Sequence, residues 1–352
     1  MRLPPGRAWG SEGAVCASLA LQRGLGDRAG AALALLGLGN VAEEHGDLAA
    51  SAGQYRESLA FERELGQPRR IARVLDHLAQ SAWCAGEDQQ ALRLANEALA
   101  LRRDLEDDLG TARALWNRGV ALEHLGDLDH AETALADSLA ARRRLGDALG
   151  VVVSAAYLAR VALRRGDIDQ VAALCTEALT IARAMGVMWG IQGGLLGLAF
   201  VARLRGQPEL AARLLGATEA SLDATSIVIK PGDQALGLKQ QELIREQLGE
   251  AAFQAALQAG RRLPLDEAIA AALAVGTSPS TMPGAPHLPP NDSSVLTQRE
   301  REIEALIARG QTNRQIAADL SLSARTVDTH VSRILHKRGL TSRTQLALHD
   351  HR

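Results

Sequence analysis

Side chains able to hold an anion crowd into one short stretch near the end of this 352-residue chain. Arg325, Thr326, Arg333, Lys337 and Arg343 fall within nineteen residues, with Asp328, Thr329, His330 and Ser332 among them. Guanidinium, ammonium and hydroxyl groups donate to phosphate oxygens, while carboxylates and hydroxyls can exchange hydrogen bonds with base edges. The charge balance points the same way. From Ser294 to Arg352, ten Arg or Lys stand against six Asp or Glu, a net +4, so a whole-chain charge of −2 leaves −6 for the rest. A basic tail on an acidic body is the asymmetry expected when only the tail meets phosphate.

Other chemistry finds little support. The only lysines are Lys230, Lys239 and Lys337, and none follows a phosphate-loop glycine pattern. There is no nucleophile elbow and no pair of residues at metal-ligand spacing. Cys16, Cys84 and Cys175 lie far apart and read as small thiols in a reducing compartment. The reading is therefore of a non-enzyme with no catalytic residue, metal or cofactor. Met1 to Trp9 lacks an apolar signal region, and no uncharged apolar run reaches the ~18 residues of a membrane span, so a cytoplasmic location without membrane contact is expected.

Four helix starts position the basic stretch. Thr297, Thr312 and Ser342 each stand three residues before a Glu or Gln (Glu300, Gln315, Gln345), a capping box, and Ser323 caps a further helix. Apolar residues follow at helical spacing: Ile303, Leu306 and Ile307, then Ile316, Ala317 and Leu320, then Val327, Val331, Ile334 and Leu335. Gly310 and Gly339 stand where the first and third helices should stop. The short turn Ser321-Leu322-Ser323 between the second and third helices gives helix-turn-helix spacing.

The stretches Leu296 to Ile303, Asn313 to Ala317, Ser323 to Val327, His330, Ile334, Lys337 and Thr341 to Arg343 together resemble the LuxR-type DNA-binding domain, over residues 294 to 349. The resemblance implies double-stranded DNA as partner, with the third helix in the major groove. Arg325, Thr326, Arg333, Lys337 and Arg343 then read as phosphate contacts. Asp328, Thr329 and Ser332, opposite Val327, Val331 and Ile334 on a helix, read as base-edge contacts. Many relatives carry a basic residue where this chain has Asp328, so an operator sequence does not transfer from them. His330 reads equally well as a packed histidine or as a DNA contact.

The body has an internal period of forty residues. Gly46, Gly86, Gly126, Gly166 and Gly206 mark one turn, and Gly26, Gly66, Glu106, Gly146 and Gly186 mark a second turn halfway between. Each half is one helix of about four turns plus a turn, with glycine at the left-handed cap and a following acid at the next start. Gly39, Ala79, Gly119, Ala159 and Ala199 keep one position small in every first helix. Leu59, Leu99, Leu139 and Leu179 keep a later one large in the second. Leu38-Gly39-Asn40, Gly46-Asp47, Tyr55 and Ser58-Leu59 resemble the tetratricopeptide pattern in a longer form, over about residues 7 to 222.

The expected fold is thus all-α. Residues 1–222 form a helical-repeat solenoid, 223–275 a helical capping segment, 276–293 a Pro/Ser-rich linker and 294–352 a four-helix helix-turn-helix domain. Residues 7 to 25 align with a second helix lacking its first. This leads us to expect the C-terminal part of a longer protein, or a misassigned start. Repeat arrays ahead of this domain characterise the large MalT-like class, whose members often carry an ATP-binding domain upstream. The expected function is transcriptional regulation, as a homodimer on DNA, with a protein or small-molecule inducer at the repeats and RNA polymerase as a further partner. The competing reading is a repeat-based adaptor whose tail does not bind DNA.

Overall fold

The computed structural model describes residues 7–225, 231–277, 303, 304, 306–309, 311–313, 315, 316, 331 and 334. Its fold is paced by one kind of turn. At the end of the helix Arg28–Glu44, the Gly46 N–H donates to the Glu43 carbonyl (3.0 Å) and the Asp47 N–H to the Ala42 carbonyl (2.9 Å). These bonds satisfy carbonyls that a helix end leaves open, and they need a left-handed residue, which Gly46 supplies at φ 78°. The Asp47 carboxylate then accepts from the Ala50 N–H at 2.9 Å and caps the next helix. One residue closes a helix and opens its successor. Asp27, Asp107, Asp127, Asp147 and Asp167 repeat the arrangement. Glu87 keeps the backbone turn but makes no side-chain cap bond, because its extra methylene carries the carboxylate past the geometry that Asp reaches.

Fourteen helices follow from this among the described residues. They are α1 (Arg7–Gly24), α2 (Arg28–Glu44), α3 (Leu48–Glu64), α4 (Pro68–Cys84), α5 (Asp88–Asp104), α6 (Asp108–His124) and α7 (Leu128–Leu145). Then come α8 (Ala148–Arg165), α9 (Ile168–Met185), α10 (Met188–Leu204), α11 (Pro208–Asp223), α12 (Pro231–Leu248), α13 (Glu250–Arg261) and α14 (Leu265–Thr277). From α1 to α11 each helix packs on its sequence neighbours, so the body is a one-dimensional stack of pairs. The chain divides into two units, Met1–Pro283 and Gly284–Arg352.

Close approach within each pair sets the packing. A Cβ added to Gly39 would lie 2.3 Å from the Tyr55 ring, and one added to Gly119 would lie 2.6 Å from Leu135. Tyr55 and Leu135 share one column of the period with Ala95, and Ala79 in the small column is itself fully buried. Tyr55 is wholly buried; its hydroxyl donates to Asn40 (2.8 Å) and lies 3.1 Å from Glu43. Successive pairs are joined by buried hydroxyls, Ser51 to Ser81 (3.1 Å) and Ser138 to Ser154 (3.0 Å). Exposed ion pairs recur along the outside, among them Arg63–Glu97 (2.7 Å) and Arg143–Glu177 (2.5 Å). Being solvated, such pairs add little stability each.

After α11 the period ends. α13 packs on α11, and α14 on α9 and α10, so that Phe253, Leu257, Ile269 and Ala272 complete the core of the last repeats. The α11–α13 crossing is backbone to backbone: a Cβ on Gly260 would lie 1.9 Å from the Arg213 carbonyl oxygen. α14 runs on to Thr277, beyond the helix end at about 275 expected from sequence. Gly276 permits this, since a Cβ there would lie 2.0 Å from the Thr176 hydroxyl.

Two substitutions should move stability in opposite directions. Gly39→Ala forces a methyl into the Tyr55 ring and should cost about 1–3 kcal/mol. Glu106 is the one non-glycine with positive φ (50°) among the described residues, so Glu106→Gly should add roughly 0.5–1 kcal/mol. Urea denaturation of each variant beside the parent measures both.

Candidate functional site

In the second unit the apolar spacing of the sequence becomes a core. Ile303, Ile307, Ile316, Val331 and Ile334 are all buried, and each lies in helical backbone. The capping box at Thr312 is formed. The Gln315 side-chain oxygen accepts from the Thr312 N–H at 2.8 Å, and the Gln315 N–H reaches back to the Thr312 hydroxyl at 3.4 Å. Glu304 is also buried, which its place in the sequence pattern does not reveal. The nine residues read as DNA contacts, Arg325, Thr326, Asp328, Thr329, His330, Ser332, Arg333, Lys337 and Arg343, lie outside the described residues. So do Val327 and the helix starts at Thr297, Ser323 and Ser342.

In the body, the first helices of successive pairs, α4, α6, α8 and α10, line a cavity of about 1100 Å³. Sequence reasoning missed this site. Its signal is two columns of the forty-residue period that turn basic in neighbouring repeats, Arg73 with Arg113 and Arg102 with Arg142. Arg102 is held between Asp76 (3.0 Å) and Asp107 (2.5 Å), and Arg142 faces Asp147 at 3.4 Å. Among the described residues, Arg73 and Arg113 are in no ion pair, and the Arg73 Nε is buried without a hydrogen-bond partner.

These charges shape one another. Burial pushes the Asp76 carboxyl up to about 6, against the pull of the Arg113 and Arg102 charges. Burial likewise resists ionisation of Asp107, but hydrogen bonds from the Gly110 N–H and from Arg102 outweigh it and hold that carboxyl below its usual range. Burial, with the Arg113 and Arg73 charges acting in the same direction, lowers His77 to about 3. An aromatic group stands beside the guanidiniums. Trp116 meets Tyr157 edge-on at 5.4 Å and Trp83 at 5.9 Å, and Arg160 lies 4.8 Å over the Tyr157 ring. Toward α10 the wall becomes apolar, with Val153, Trp189 and Leu196, and Gly193 faces open space. Among the described residues no group of three or more His, Cys, Asp or Glu could hold a metal ion. No described helix is long and apolar enough to cross a membrane.

Comparison with known proteins agrees with both halves. Residues 294–349 match the luxR family of bacterial regulatory proteins, and residues 70–144 and 110–184 match tetratricopeptide repeats. The transcriptional regulatory protein LiaR of Bacillus subtilis is 47% identical over 57 residues, 16% of this chain and 27% of that protein. A Mycobacterium tuberculosis protein proposed by its name to be an HTH-type transcriptional regulator, Rv0890c, is 36% identical over 135 residues, 38% of this chain and 14% of that protein. The chain thus spans only a minor part of the length of these relatives. The crystal structure of BtubC (BKLC) from P. vanneervenii superposes on 63% of this chain and 93% of its own, with a TM-score of 0.52 at 16% identity, a likeness of fold. An all-α body of stacked helical pairs joined to a regulatory domain is the class these features define. The chain carries a LuxR-family helix-turn-helix domain behind tetratricopeptide repeats.

The histidine gives a pH test. In the unfolded chain the His77 imidazole takes a proton near pH 6.5, whereas the folded protein refuses it until about pH 3. The stability this represents is complete above pH 6.5 and is lost as pH falls through that window. Between pH 7 and 5, His77→Gln should therefore lose less stability than the parent, by up to about 2 kcal/mol, in urea denaturation at the two pH values.

Proposed function

We propose that this chain is a sequence-specific DNA-binding transcriptional regulator, with its third C-terminal helix in the major groove and its repeats as the sensing or interaction surface. The observation that carries the proposal is the match of residues 294–349 to the luxR family, joined to the burial of Val331 and Ile334 on one helical face. A helix that buries those two residues would turn Thr329, Ser332 and Arg333 to the opposite side, where a groove could meet them. We assign 1–222 to the repeats, 223–275 to their cap, 276–293 to a linker and 294–352 to the DNA-binding domain.

The roles divide by chemistry. Arg325, Thr326, Arg333, Lys337 and Arg343 hold phosphates, setting affinity and salt dependence without reading sequence. Asp328, Thr329 and Ser332 read base edges; a carboxylate at 328 can accept from a cytosine amino group. His330 stands with them as a contact in this reading. Helix-turn-helix proteins usually read two half-sites as symmetric dimers, so a homodimer on DNA is the acting form, with RNA polymerase a candidate partner there.

Arg325→Ala and Lys337→Ala should each weaken binding to all duplexes alike and lower the salt slope by about 1. Thr329→Ala should instead relax the preference at a single base pair. Fluorescence anisotropy against a mutated operator series at several salt concentrations separates these effects. Uniform loss for Thr329→Ala would remove its reading role. DNA affinity that does not change with salt in the parent chain would favour the adaptor reading instead.

A further inference from the structure

We propose that the groove of the repeats binds a small amphipathic anion, its carboxylate or phosphate head held by Arg73 and Arg113 and its apolar body laid along α8 and α10. The forty-residue period gives the first argument. The column that holds Arg73 and Arg113 holds Leu33, Val153 and Gly193 in the other repeats, so the fold does not need a cation there. Two adjacent repeats nonetheless place guanidiniums at it, inside the cavity and without ion-pair partners among the described residues. Half-burying cations with no carboxylate in direct contact is unfavourable, and a bound anion would offset that cost.

The carboxylates nearby act on these two arginines only at a distance, Asp76 on Arg113 and Glu62 on Arg73, and among the described residues none pairs with them directly. Asp107 and Asp147 are engaged by Arg102 and Arg142, and Asp76 by Arg102. Trp116 adds a further donor: it lines the cavity at 6% exposure, and its indole N–H has no partner among the described residues. Two guanidiniums and an indole N–H can donate several bonds to a carboxylate or phosphate.

The other end of the groove sets the second half of the ligand. Trp189 and Leu238 line the cavity yet remain largely exposed, at 41% and 60%. Val153 and Leu196 continue that wall, and above Gly193 a Cβ would meet nothing within 4 Å. Large apolar side chains left in water beside an open space are what an alkyl or ring body would cover. A cavity of about 1100 Å³ is of the size that holds one small molecule. The proposal rests on the repeats being the sensing unit and not on the DNA reading, since binding is measured with no DNA present.

The test uses the full chain with decanoate, decyl phosphate and the neutral decan-1-ol, each below its aggregation limit, followed by calorimetry and by tryptophan fluorescence. The two anions should bind one per chain and at least tenfold more tightly than the alcohol, and whichever head binds more tightly identifies the source. Arg113→Gln should weaken both anions at least tenfold and leave the alcohol unchanged. Gly193→Leu, which fills the apolar end, should weaken all three. Circular dichroism checks that the variants stay folded, and Arg73→Gln provides the same readout if Arg113→Gln does not. The proposal is overturned if the alcohol binds as tightly as the anions, if neither anion binds, or if anion affinity survives loss of the arginine.

Discussion

Two helices of a repeat approach closely only where one of them gives up its side chain, and that contact governs the body. Gly39 admits the Tyr55 ring and Gly119 admits Leu135, each closer than any Cβ would allow. The turns between them also repeat: each has a left-handed residue, followed in six of the ten by an Asp that closes one helix and caps the next. Pairs of constant thickness stack into a regular array, and the first helices of the pairs then share one inner face. The cavity along α4, α6, α8 and α10 is a consequence of that regularity.

Burial of titratable groups beside this cavity works against stability. Asp76 is fully buried with its carboxyl raised to about 6, and His77 stays neutral because burial and two arginines oppose its protonation. A fold that needed only to stack helices could place Leu or Val at the column of Arg73 and Arg113, as it does at Leu33 and Val153. Local departures from the stabilising choice commonly mark function, and here they gather in one groove rather than scattering over the surface.

Much of this was legible in the chain because turn chemistry and helical spacing are local. The glycine marks, the aspartate caps, the small column and the Thr312–Gln315 box each depend on residues a few positions apart, and the structure forms them. The groove was less legible. The period shows that Arg73 and Arg113 are equivalent, but which column faces inward depends on how separate helices pack. The contact of Trp83, Trp116 and Tyr157 joins three different helices. The α11–α13 crossing at Gly216 and Gly260 escaped for a related reason, since it begins where the period stops. The DNA-contact residues rest on pattern and family likeness, because they lie outside the described residues.

The central claim is that the basic tail reads a DNA sequence. Selection of bound duplexes from a random library by the full chain, repeated at two salt concentrations, addresses it most directly. The account predicts salt-dependent binding and enrichment of one inverted repeat, its half-sites about one helical turn apart. Binding that is absent, or that enriches no sequence at either salt concentration, would contradict it.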